Sequence, residues 1–284
     1  MTCSAYPPGV SSIVSRTPIS LGVFLPLLLP LLIVACGPSE RDASWRGDAP
    51  KGPADPTADA GYLKPPTLTV SRRAPDGAIL LTGEAAPGAA VVLGAPMQAP
   101  LTARADPAGV WILRLPASAD VRLFGLSMSA PAGRKVQSQG YLAVLPDGRA
   151  AQLRSGASAL VYGPGSEMPR LLTVDFDRDG AASVSGTARA GSGLSLRIDR
   201  SARGVGKTDS QGRFHLAIER PLNAGALAFE IAGDSGEQAV TVPVTAAGDL
   251  TTPFRAVRNG AAWRIDWMTP GGGVQTSLIL DPVS

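Results

Sequence analysis

The sequence predicts an all-β protein built from two tandem β-sandwich units. Three observations carry that reading: an internal repeat, a period-two alternation of apolar residues, and turn residues punctuating the alternating runs. The repeat aligns Gly83 with Gly186, Gly88 with Gly191, Asp106 with Asp209, Gly109 with Gly212, Trp111 with Phe214 and Leu113 with Leu216, at one constant offset. An offset that does not drift over such a span means two copies of one unit. Composition agrees, since Gly 33 and Pro 26 in 284 residues, with only 5% aromatic, suit many short strands and turns better than long helices.

Within each copy the strands follow from the alternation. Trp111, Leu113 and Leu115 fall on one strand face with Ile112 and Arg114 on the other; Phe214, Leu216 and Ile218 repeat this, with His215 and Ala217 opposite. Earlier strands read over 78–82 and 89–93, answered by 182–185 and 194–198. Asp76-Gly77, Pro87-Gly88, Asp106 to Gly109, Asp179-Gly180 and Asp209 to Gly212 mark the turns. Short strands at this spacing suggest a sandwich. The runs Thr82-Gly-Glu-Ala-Ala-Pro-Gly88 with Ala105-Asp-Pro-Ala-Gly-Val-Trp111, and Val184-Ser-Gly-Thr187 with Thr208-Asp-Ser-Gln-Gly-Arg-Phe-His-Leu216, resemble the bacterial Ig-like domains that occur in tandem in surface and envelope proteins. The resemblance covers roughly 67–145 and 170–246, and it implies two Ig-like β-sandwiches without assigning any catalytic residue. Pro96 and Pro100 interrupt the first copy and argue against an edge strand there.

Each copy is followed by extra strands. Strand-like runs follow the first copy at Leu142–Gly148 and Ala159–Tyr162, with 146–169 as a bridging segment, and follow the second at Phe254–Val257, Trp263–Trp267 and Val274–Leu280, with 247–284 as a C-terminal β-hairpin extension. Trp263, Ile265 and Trp267 share one face of that hairpin. Two aromatics on one face can be a sugar-stacking surface or the cover of a core, and the Ile265 between them favours the core.

At the other end, the apolar run from Leu21 to Ala35 stops at Cys36. It is shorter than the about 20 residues that span a bilayer, and Pro26 and Pro30 interrupt it, so a cleaved signal over 1–35 fits better than a membrane helix. Leu32-Ile-Val-Ala-Cys36 resembles the lipobox of bacterial lipoproteins. That resemblance implies a lipid on Cys36, removal of the preceding peptide, and attachment to the bacterial cell envelope. Gly37 rather than Asp after the cysteine implies the outer membrane under enterobacterial sorting rules. Residues 36–66, rich in proline and without apolar period, read as the lipidated end and a disordered, extended linker.

The residues exclude more chemistry than they suggest. The formal net charge of +3 is spread without a basic run, which gives no electrostatic case for nucleic acid. With Cys3 in the signal and Cys36 lipidated, the domains have neither a disulfide nor cysteine ligands for a metal, and no cofactor is expected. The single histidine, His215, reads as an exposed strand residue rather than the base of a hydrolytic triad. Asp175, Asp177 and Asp179 have the D-x-D-x-D-G spacing of calcium loops, but Gly186 stands where such a loop ends in glutamate, so an exposed acidic hairpin turn is expected, with no metal. The expectation is therefore a non-enzymatic envelope lipoprotein whose tandem modules serve as a scaffold or binding module. Its partners would be the membrane, through the N-terminal lipid, and an unidentified envelope protein or glycan. The alternative is a surface adhesin or a carbohydrate- or peptidoglycan-binding protein, with Trp263 and Trp267 as its surface.

Overall fold

In the computed structural model, which describes residues 62–131, 133–163 and 165–282, the alternating runs and their turns become strands, and among these residues every regular element is a strand. Cys36, the signal segment and most of the linker lie outside the described residues. The first copy comprises β1 (Thr67–Arg73), β2 (Ile79–Glu84), β3 (Ala90–Gly94), β4 (Leu101–Arg104), β5 (Val110–Leu115), β6 (Arg122–Ser129) and β7 (Lys135–Gln137). Its sheets are β1-β2-β5 and β4-β3-β6, with β7 on the other edge of β6. Between them lies a core of Leu68, Leu81, Trp111 and Leu113 against Val91, Leu93, Leu126 and Met128. Strand β4 does form, as four residues starting directly after Pro100, which corrects the expectation from Pro96 and Pro100. The prolines lie in the loop before it, where no ladder hydrogen bond is lost.

The second copy repeats the plan with β11 (Arg170–Asp177), β12 (Ala182–Thr187), β13 (Gly193–Ile198), β14 (Ser201–Lys207), β15 (Arg213–Ala217), β16 (Gly225–Gly233) and β17 (Gly236–Val244). Sheet β15-β12-β11 faces sheet β14-β13-β16-β17 across a core that includes Val174, Phe176, Leu196, Phe214 and Phe229. The correspondence extends to irregularities, since the first strand of each copy bulges at the same place, Leu68/Val70 and Leu171/Thr173. Gly83 pairs with Trp111 and Gly186 with Phe214. A Cβ at either glycine would collide with the aromatic ring lying over it, which is why the repeat keeps glycine opposite its large core aromatic. The fold is therefore two tandem Ig-like β-sandwiches with additional strands.

The additional strands join the sandwiches. After the first copy come β8 (Tyr141–Val144), β9 (Ala150–Arg154) and β10 (Ala157–Tyr162); after the second come β18 (Phe254–Arg258), β19 (Ala262–Met268) and β20 (Val274–Leu280). Both sets are three-stranded meanders: the three strand-like runs after the second copy become its three strands, while the first set adds one strand to the two marked runs. Strand β8 pairs with the first half of β6, and β20 pairs with β11, so each meander widens one sheet of its own sandwich. Between β7 and β8 the chain turns at Gly140, whose φ of 67° and closeness to the Leu153 carbonyl exclude a side chain. The last strand of copy one thus breaks in two, and β8 belongs to the meander rather than to a first domain ending at 145. In copy two, β17 pairs with β16 along its whole length.

The meanders stack face to face. Ala143, Leu145, Ala151, Leu153 and Ala159 meet Ile265, Trp267 and Ile279 in a third apolar core, with Tyr141 edge-on to Trp267 at a ring-centroid distance of 5.8 Å. At the start of the described chain, Leu63 packs against the first core and the buried Pro66 accepts a hydrogen bond from the Ser138 hydroxyl. Residues 63 to 66 therefore belong to the sandwich, not the linker, because they bury apolar surface.

Urea denaturation is expected to show Trp111→Ala and Phe214→Ala each costing about 3–5 kcal/mol, and Arg114→Ala less than about 0.5 kcal/mol. Equal small losses for all three would contradict the repeated core.

Candidate functional site

In an isolated sandwich the outer face of β11-β12-β15 would be solvated, and alternation places Thr173, Asp175, Ser183, Ser185 and His215 there. Here β10 lies over that face, and small side chains let its backbone come close. The Ala159 N–H donates to Asp175 Oδ2 at 2.9 Å, and Ser185 Oγ donates to the Ala159 carbonyl at 2.6 Å. Thr173 Oγ1 and Ser185 Oγ are 2.9 Å apart. From β20, the Ser277 hydroxyl donates to Asp175 Oδ1 and accepts the Trp267 indole N–H at 3.2 Å. Gln275 accepts from the Gly156 N–H at 3.0 Å and donates to the Arg154 and Ala157 carbonyls, both at 3.1 Å. Asp175 is thus the meeting point of both meanders and the second sandwich.

This corrects the expectation for the acidic turn. Asp175 is only 1% exposed, because β10 covers it. Burial pushes its carboxyl up to about 6, against the opposing effect of hydrogen bonds from Ser277, Thr173 and Ala159 and the charge of Arg154. Asp177 closes its own turn, its Oδ1 accepting the N–H groups of Asp179 at 3.0 Å and Ala181 at 2.9 Å. Asp179 is exposed. Among the described residues no three metal-ligating side chains converge.

His215 is exposed and its Nδ1 is hydrogen-bonded to Ser158 Oγ. Burial of part of the ring and the nearby Arg154 hold its pKa below the ordinary imidazole value. A serine beside a histidine invites a nucleophile reading, but Ser158 is wholly buried, so its oxygen cannot meet a substrate. The pair acts as a clamp between β10 and β15.

The two tryptophans part company. Trp267 is wholly buried in the third core, whereas Trp263 is half-buried and has the Arg258 guanidinium 5.2 Å from its ring centroid. They cannot form a shared stacking surface, because the sheet face that carries them is covered by the other meander. Arg258 is fixed by a two-point pair with Asp281, at 3.0 and 2.6 Å, and Arg149 from the first meander joins the same carboxylate at 3.3 Å. The hydrogen bonds from Arg258 hold the Asp281 carboxyl below its ordinary value against partial burial.

On the opposite face of β19, the wholly buried Asp266 accepts from Arg264 at 2.9 Å, Arg255 at 2.7 Å and Thr276 at 2.7 Å. Sequence reasoning missed this cluster because alternation marks Arg264 and Asp266 as an outward face. Opposite charges two apart on one strand face were the signal, together with a threonine on the neighbouring strand.

No protein-family model matches the chain, and no curated protein matches it. Among solved structures, it is similar to a "Biofilm associated protein - BSP domain" at 12% identity and a TM-score of 0.23, over 64% of this chain and 30% of that one. It is also similar to the "Central Fibronectin-III array of RIM-binding protein" at 9% identity and a TM-score of 0.25, over 73% of this chain and 72% of that one. The sandwich architecture stands on the strand order itself.

Asp175 gives a pH prediction with a definite sign. Its folded pKa of about 6 lies above the ordinary 3.8, so its contribution is fully present below pH 3.8 and is lost as pH rises through about 6. Asp175→Asn should remove that loss, and its stability relative to wild type should improve between pH 5 and pH 8 by about 1.4 kcal/mol, the rest of the loss falling below pH 5. Urea titrations at the two pH values check this, and a difference that shrinks towards pH 8 would contradict it.

Proposed function

We propose that the chain is a non-enzymatic envelope lipoprotein, held to the membrane by a lipid on Cys36, whose two Ig-like modules act as one rigid scaffold for a partner in the envelope. The observation that carries the scaffold reading is the third core. Tandem modules joined by a plain linker reorient freely, whereas here each module contributes a sheet extension to a shared apolar interior closed by buried hydrogen bonds at Asp175. Such a joint fixes the spacing and orientation of the modules, which is what a scaffold requires.

The lipobox-like Leu32-Ile-Val-Ala-Cys36 supports anchoring, since a doubly acylated terminus holds a protein stably to a bilayer without any spanning helix.

Growth of a lipoprotein-processing bacterium with a clickable fatty acid tests the anchoring. The wild-type chain should incorporate the label and fractionate with membranes, and Cys36→Ser should do neither. An unlabelled wild-type chain would overturn the anchored reading.

A further inference from the structure

A cleft of about 570 Å³ opens where the first sandwich meets the second meander, between the loop that joins β3 to β4, the start of β6, and the segment leading into β18. Its walls include Phe124, Phe254 and Pro253, and at its mouth stands Met97. Met97 is fully exposed and held at a φ of 60°, a conformation that disfavours a non-glycine residue. An unbranched apolar side chain in water at the mouth of a cleft can close over a bound apolar group. Within the same cleft, Arg122 is half-buried. Its Nε and Nη2 are shielded from water and have no hydrogen-bond partner.

Those two atoms are chemically specific. In a guanidinium, Nε and Nη2 carry hydrogens that point side by side, and their spacing matches the two oxygens of a carboxylate. Leaving them unpaired away from water is unfavourable, and a buried charged donor is strongly so. The arginines of the meander joint, Arg149, Arg258 and Arg264, all have acceptors, so Arg122 stands apart from them. Asp120 on the rim is exposed and negative, which disfavours polyanions such as phosphorylated or nucleic-acid ligands and is compatible with a single carboxylate.

We infer that this cleft binds a ligand with an apolar body and one free carboxylate, the carboxylate seated on the Arg122 fork and the apolar body against Met97, Pro253 and Phe254. The chemistry fits two sources, an N-acylated apolar amino acid or the free C-terminus of a peptide ending in an apolar residue. Seating the carboxylate needs the Arg122 side chain to turn towards the cleft, because its Nε and Nη2 are shielded. The site does not depend on the lipid anchor, so its failure and that of the anchoring proposal are separate outcomes.

The full chain labelled with ¹³C at its methionine methyl groups provides the test. Met97 reports on the cleft, while Met128 in the first core, and Met168 and Met268 outside the cleft, serve as internal controls. N-acetyl-leucine, and separately a tetrapeptide ending in leucine, are titrated against the chain. The expected result is a saturable shift confined to Met97, absent with the C-terminal amide of the same probe. It should weaken at least tenfold in Arg122→Met and be partly retained in Arg122→Lys, which keeps the charge but not the fork. The relative affinities of the two probes distinguish the sources. Because Arg122 has no partner to lose, Arg122→Met should melt at or above the wild-type temperature. If that variant does not fold, Arg122→Lys carries the comparison. No saturable shift with either probe, equal binding of the amide, or undiminished binding in the arginine variants would overturn the inference.

Discussion

The structure depends on the burial of two sheet faces that cannot remain exposed. One face of each meander completes the core of its own sandwich, as Leu142, Val144 and Ala150 do in the first and Leu278 and Leu280 in the second. The other face is also apolar, carrying Leu145, Leu153 and Ala159 on one side and Ile265, Trp267 and Ile279 on the other. Water is a poor solvent for either, and each supplies the surface the other needs. Folding of the two copies is coupled through this third interior, and their repeat symmetry is broken by it.

The asymmetry has a local origin. In copy one the seventh strand breaks at Gly140 and its second half leaves to begin a meander from β6, whereas in copy two the equivalent strand β17 runs unbroken along β16. The second meander therefore attaches at the opposite sheet, through β11. Docking them places β10 over the formerly outward face of the second sandwich, where polar residues already stood. Their cost of burial is offset by hydrogen bonds from the β10 backbone and from Ser277, with the charge of Arg154 adding to them. No salt bridge pairs Asp175 with a cation among the described residues, and burial raises its pKa.

Much of this was legible in the sequence, because it is local. The constant offset of the repeat, the alternation around Trp111 and Phe214, and the Asp-Gly turns reflect contacts within one strand pair, and the structure places Trp111 and Phe214 in equivalent cores. Ile265 beside Trp267 favoured its burial, although the layer that covers it comes from the other meander. What was not legible depends on contacts between segments far apart in sequence. Asp175 looks like one of three exposed acids until β10 covers it, and Arg264 and Asp266 look outward until a second layer is known to lie there. The Arg122 fork left no trace in the pattern, since an arginine at the start of a strand is unremarkable until its neighbours are placed.

The claim that one shared interior makes the two modules a single rigid body is tested most directly by the distance between them. Spin labels at Ile112→Cys in the first sandwich and Val205→Cys in the second, both exposed at 63% and 78%, would be placed in a chain whose Cys3 and Cys36 are serine. Pulsed dipolar spectroscopy should give one narrow distance distribution, and Trp267→Ala should broaden it by opening the third core. A broad distribution in the chain with Trp267 intact would contradict the account.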